Sequence, residues 1–133
     1  MIYIDANMFV ICQFDATAKG TSARALMQEI VDGKLAPAIT SALTLDEVMW
    51  AVIKNKMQGD LRNIITAAYT IPNLTIKEVG PNIPLAALDL IEEHGLKPRD
   101  AFHAAVMKSF GVNEIVSDDS DFDKVKWIKR IKL

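Results

Sequence analysis

Carboxylates recur at positions where a chain can gather them. Asp5 directly follows the apolar run Met1–Ile4, Glu47 and Asp100 each fall in the first turn of a predicted helix, and Asp118, Asp119 and Asp121 follow the apolar run ending at Val116. Anions brought within a few ångströms of one another repel and raise each other's pKa, so such a group needs a cation. Oxygen ligands without a Cys or His cluster select magnesium or manganese over zinc. The chemistry of such sites is phosphoryl transfer or phosphodiester hydrolysis, in which the ion lowers the pKa of a water and stabilises charge on the phosphate.

Each acid also has a structural reading. Thr44-Leu45-Asp46-Glu47 is a capping box in which Glu47 bonds back to the cap N–H. Asp100 is favoured at a helix start by the macrodipole, and Asp118 to Asp121 is ordinary turn composition. Asp5 is hardest to dismiss, because an acid beside a buried strand is costly without a partner.

The elements that must position these residues follow from the apolar pattern. Met1–Ile4 predicts a strand, 21–32 a helix capped by Thr21 or Ser22 and stopped by Gly33, and 35–39 a strand weakened by Pro37. A helix is expected from Thr44 to about Gln58, and a second, well buried, over 60–71. Strand 74–79, helix 83–94 before Gly95, a helix from Pro98 to about Phe110, strand 114–116 and a last strand within 127–133 complete the series. Strands alternating with helices imply a mostly parallel sheet covered on both faces, with its functional crevice at the carboxyl ends of the strands. Asp5 and the Asp118–Asp121 cluster fall on that edge, and Glu47 and Asp100 share it if the preceding segments rise through the sheet.

The 133 residues suffice for one domain, 1–133, and half of them are apolar. A mean hydropathy of +0.16 excludes a disordered chain. The longest stretch free of Asp, Glu, Lys and Arg, Asn63–Ile76, contains Pro72 and is too short to span a bilayer. The N-terminus has no basic lead-in of a secretory signal, and the single cysteine, Cys12, rules out an internal disulfide and a multi-thiolate zinc site. A soluble protein of the cytoplasm is expected. A net charge of -2 argues against bulk coating of nucleic acid, yet Lys124, Lys126, Lys129, Arg130 and Lys132 crowd the C-terminal end.

The ordered motifs resemble a known family. Ile2-Tyr3-Ile4-Asp5-Ala6-Asn7, Thr40-Ser41-Ala42-Leu43-Thr44-Leu45-Asp46-Glu47, Pro98-Arg99-Asp100-Ala101-Phe102-His103 and Ile115-Val116-Ser117-Asp118-Asp119-Ser120-Asp121-Phe122 occur in that order and carry Asp5, Glu47, Asp100 and Asp119 across nearly the whole chain. This pattern resembles the PIN-domain ribonucleases, and most closely the small single-domain toxins of VapBC toxin–antitoxin pairs. The resemblance implies a three-layer α/β/α fold around a mostly parallel sheet of about five strands. It implies Mg2+- or Mn2+-dependent endonuclease activity on single-stranded RNA, with Asp5, Glu47, Asp100 and Asp119 as catalytic metal ligands and Asp121 as an additional one. A homodimer and a small antitoxin partner are implied as well.

Around these acids, Asn7 and Ser117 are placed to hydrogen-bond carboxylates or metal waters. His103 shares the helix face of Asp100 and is expected to pack or orient neighbours. Arg99, Lys126, Lys129 and Arg130 are candidates for phosphate contact, and Trp50 is expected in the core or at a dimer contact. Two other readings compete. A haloacid-dehalogenase-like phosphohydrolase needs a second Asp two residues after the first, where this chain has Asn7; a non-catalytic PIN-fold binding module would be marked by a lost acid, and none is lost.

Overall fold

Short strands separated by amphipathic helices bury their backbone polar groups most simply in a parallel sheet with helices on both faces. The computed structural model, which describes all residues 1–133, has this form. Its strands are β1 (Ile2–Ile4), β2 (Ala38–Ser41), β3 (Leu74–Lys77), β4 (Glu114–Val116) and β5 (Lys129–Ile131), and its helices are α1 (Ala6–Phe14), α2 (Ala18–Val31), α3 (Ala42–Lys54), α4 (Leu61–Ala68), α5 (Ile83–His94) and α6 (Pro98–Ser109). The strand order is β3-β2-β1-β4-β5, and every pairing is parallel. The three-layer α/β/α architecture is as expected.

Alternation along β1 assigns the two faces. Ile2 and Ile4 join Met8, Ala23 and Ile30 under α1 and α2, whereas Tyr3 joins Ile39, Ile115 and the buried residues of α5 and α6. The chain runs outward from β1 through β2 to β3, then returns to place β4 on the other side of β1. The carboxyl ends of β1 and β4 therefore flank a topological switch point, where doubly wound sheets leave a crevice.

Several boundaries differ from the sequence reading, each for a physical reason. α1 has no counterpart there: packed by the sheet, α2 and α3, it has apolar residues on several sides and no polar face to reveal its period. α2 begins at Ala18 rather than Thr21, with Thr17 as its cap residue and the Asp15 carboxylate accepting from the Thr17 N–H. β2 starts after Pro37, which has no N–H to give the ladder, and extends to Ser41. α3 begins directly after Ser41, so Thr44 lies inside the helix and the capping box does not form. α4 is shorter than 60–71 and is not well buried: Ile64 and Ile65 pack on the α1–α3 cluster, while Arg62, Asn63 and Thr66 face solvent. Gly95 closes α5 in the left-handed region, as the stop signal predicted.

Gly20 is required by close approach. A Cβ there would collide with the Asp15 carbonyl oxygen, a backbone atom that Arg24 also holds by a 2.8 Å hydrogen bond. Gly20→Ala should therefore destabilise the protein by about 1–3 kcal/mol, the usual cost of overpacking. Urea denaturation checks this, and an unchanged midpoint would mean that the α1–α2 link yields without strain.

Candidate active site

β1 delivers Asp5 to the carboxyl edge of the sheet, where its backbone turns from extended into α1 and its side chain caps that helix. Only 5% of Asp5 is exposed. Its Oδ1 accepts the Ala6 N–H at 2.7 Å, and its Oδ2 accepts from Ser117 Oγ at 2.6 Å and Asn7 Nδ2 at 3.2 Å. Burial raises the Asp5 pKa; the nearby His103, the Ser117 hydroxyl and the Ala6 N–H oppose the rise.

Ser117 follows β4 and is fully buried. Besides bonding Asp5, its Oγ accepts from Asn7 Nδ2 at 3.1 Å and from the Asp119 N–H at 3.0 Å. Asn7 Oδ1 in turn accepts the Asp118 N–H at 3.2 Å. Asn7 and Ser117 thus tie the end of β1 to the loop after β4. An amide stands where a dehalogenase-type enzyme needs its second acid.

The first turn of α6 brings in Asp100, and the turn after β4 brings in Asp119 and Asp121. These three carboxylates each place an oxygen within 4.8 Å of the others. Asp100 is pushed up to about 6, first by burial and then by the charges of Asp119 and Asp5, with His103 opposing and Asp121 adding to the rise. Asp119 accepts the Asp121 N–H at 2.9 Å, and Asp121 carries Lys124 at 3.2 Å and Lys97 at 3.8 Å. Asp118 points elsewhere and pairs with Lys19 at 2.7 Å.

Glu47 approaches from α3 and meets Asp5 and His103 rather than the Asp100 group. Its Oε1 lies 2.7 Å from His103 Nε2, which is also 3.7 Å from Asp5 Oδ1. The five acids form two neighbouring groups, Asp5-Glu47-His103 and Asp100-Asp119-Asp121, and the Asp5 charge is felt at Asp100. The second group is all oxygen, as a hard divalent cation prefers; the first includes an imidazole nitrogen that the acid pattern alone does not supply.

A further network lies beyond the acids. The Tyr3 hydroxyl lies 2.7 Å from His103 Nδ1, 2.8 Å from Ser41 Oγ and 3.3 Å from Thr44 Oγ1, all of them buried. The apolar pattern does not reveal this network; its signal is a Tyr in the middle of a buried strand, because a phenol there must find a partner. Thr44 serves this network instead of capping α3.

The cations differ in availability. Arg99 is exposed and borders an open groove shared with Asn7, Val10, Glu47 and Trp50. Arg130, whose side chain is 6% exposed, is held by both Asp123 oxygens and donates to the Ser117 carbonyl at 3.2 Å. Lys129 pairs with Glu114 at 3.0 Å, and Lys126 is exposed. Trp50 is 57% exposed, which removes it from the core.

The PIN domain family model matches residues 2–128, and the chain belongs to that family. Solved structures of similar fold are the Mycobacterium tuberculosis toxin VapC20, described as cleaving the sarcin-ricin loop, and VapBC2 of Rickettsia felis bound to promoter DNA. The first is 17% identical over 92% of this chain and 93% of its own, with a TM-score of 0.75. The second is 17% identical over 99% and 98%, with a TM-score of 0.74. VapBC-1 of nontypeable Haemophilus influenzae is 14% identical over the same shares, with a TM-score of 0.70. No curated protein matches the sequence.

The charge crowding at Asp100 has a measurable sign. Its folded pKa of about 6 exceeds the unfolded value of about 3.9, so ionising it costs the folded state free energy as pH rises through that window. In EDTA, Asp100→Asn should gain stability relative to the parent from about pH 4 to about pH 6 and keep that advantage above it. Melting curves over this range check the expectation, and a variant less stable than the parent at neutral pH would mark Asp100 as structural.

Proposed function

We propose that the chain is a divalent-metal-dependent endoribonuclease acting on single-stranded RNA, and the toxin of a toxin–antitoxin pair. The observation that carries the reading is the gathering of Asp5, Asp100, Asp119 and Asp121 at one sheet edge, with Asp100 pushed up by burial and by its anionic neighbours. Anions so crowded suit a cation better than protons, and carboxylate oxygens fit magnesium or manganese. The family and the toxin fold of its structural neighbours supply the reaction class.

Asp100, Asp119 and Asp121 would hold the ion, with Asp5 and Glu47 as its remaining carboxylates. A bound Mg2+ or Mn2+ supplies the charge that acidifies an attacking water and stabilises the phosphate in an in-line displacement. The protein's own part is to fix the acids in advance. Asp5 cannot rotate while Ala6, Asn7 and Ser117 bond both of its oxygens, and Asp119 is held through its N–H by Ser117. Arg99, at the margin of the groove beside Glu47, would meet a phosphate of the strand, with Lys126 as a weaker contributor. Arg130 acts on the site from within by bracing the Ser117 carbonyl, and Lys129 is committed to Glu114.

Partners follow from the same reading. One neighbour is described as a toxin–antitoxin complex from Klebsiella pneumoniae. An apolar groove lined by Phe9, Cys12, Met27, Ile64, Ala67 and Ile71 is a surface that an antitoxin segment would bury. Exposed Met49, Trp50 and Ile53 on α3, and Leu85 and Leu88 on α5, suit a homodimer. No helix is long and apolar enough to cross a membrane. The substrate proposed is RNA of the cytoplasm.

Purified protein freed of any antitoxin should cut single-stranded RNA with Mg2+ or Mn2+ and stop on addition of EDTA. Asp5→Asn and Asp100→Asn should each abolish cleavage without unfolding the chain. Glu47→Gln should lower the rate at least about tenfold with little change in melting temperature. Gel-based cleavage assays measure all three, and EDTA-resistant cutting that survives Asp100→Asn would refute the metal mechanism.

A further inference from the structure

Glu47 reaches the edge from α3, and the one protein group that its carboxylate hydrogen-bonds is His103 Nε2. We infer that His103 is a positioning residue for Glu47, held in the required tautomer by a buried hydroxyl chain that begins at Ser41 and Thr44 and passes through Tyr3. The inference rests on the metal-dependent reading of the site and names the device that prepares one of its ligands.

The chain has a direction. Tyr3 Oη lies between Ser41 Oγ at 2.8 Å and His103 Nδ1 at 2.7 Å, with Thr44 Oγ1 at 3.3 Å. In neutral His103, an Oη–H donated to Nδ1 leaves the ring proton on Nε2, and the two small hydroxyls donate to the phenol oxygen. Nε2–H then donates to Glu47 Oε1 at 2.7 Å. The opposite neutral tautomer would set a nitrogen lone pair against a carboxylate, which is repulsive; in the cationic ring both nitrogens donate, and Nε2–H faces Glu47 again. His103 is 1% exposed, so no water competes for either nitrogen. With Oε1 occupied, Oε2 is left for a ligand, and the long side chain loses its rotational freedom before the ion arrives. Outer partners of this kind govern ligand orientation in metal sites.

The arrangement also explains why α3 and α6 are matched across the site. The ring of His103 contacts Tyr3 edge-on at a centroid distance of 5.6 Å. Such an edge-to-face contact fixes the plane of the imidazole. Ser41 and Thr44 belong to β2 and α3, so the same chain that orients the imidazole also anchors the start of the helix that carries Glu47.

Calorimetric titration of Mn2+ into purified variants separates positioning from packing. His103→Asn keeps a polar atom near Nδ1 for Tyr3 but cannot reach Glu47, whereas His103→Gln places a donor near the Nε2 position. His103→Asn should weaken Mn2+ binding about 10–100-fold, His103→Gln should recover much of the loss, and Tyr3→Phe should give a smaller loss. In a Glu47→Gln background, His103→Asn should add less than about a twofold further loss, because the coupling runs through that carboxylate. Parent-like Mn2+ affinity in folded His103→Asn, or an equal loss with and without Glu47, would overturn the inference. If His103→Asn cannot be purified, Tyr3→Phe decides: weakened Mn2+ binding supports the chain, and unchanged binding overturns it. Failure of the parent itself to bind Mn2+ would refute the metal reading, a result distinct from variants that all bind alike.

Discussion

A carboxylate buried where two parallel strands part is the constraint on which the rest of this structure depends. Asp5 ends the central strand on the side where α1 begins, and a charge there is costly unless every oxygen has a donor. The Ala6 N–H, Asn7 and Ser117 supply those donors. Ser117 can do so only because β4 pairs with β1 in a register that sets Val116 beside Ile4. The same serine accepts the Asp119 N–H, so satisfying Asp5 also draws the acidic turn toward the site. Sheet order and acid placement are thus one problem with one solution.

The consequence of gathering acids is visible at Asp100, whose proton is held well above the usual carboxylate range by burial and by its neighbours. A fold that tolerates this repulsion gives up stability at Asp100, as functional sites commonly do. Rigid elements surround it. Tyr3 and Ile115 fill the α5–α6 side, and Ile2, Ile4 and Val116 fill the α1–α2 side.

Much of this was legible in the sequence, and the exceptions are instructive. Asp5, Asp100 and the acidic turn declare themselves by following strands or opening a helix, a pattern set by local chain geometry, whereas Glu47 lies in the second turn of α3 rather than its first. α1 was illegible because a helix with apolar contacts on several sides has no periodic face. The Thr44 to Glu47 spacing matched a capping box, but tertiary partners won: Thr44 turned to Tyr3 and Glu47 to His103. The division of the acids into two groups, and the engagement of Arg130 with Asp123 instead of solvent, depend on side-chain contacts that the apolar pattern does not encode. Periodicity carries no such information.

The central claim is that crowded carboxylates at this sheet edge form a cation site. Anomalous diffraction from crystals soaked in Mn2+ tests it most directly. The account predicts a manganese peak among Asp100, Asp119 and Asp121, within reach of Asp5. Manganese bound elsewhere on the surface, with these acids empty or protonated at neutral pH, would contradict it.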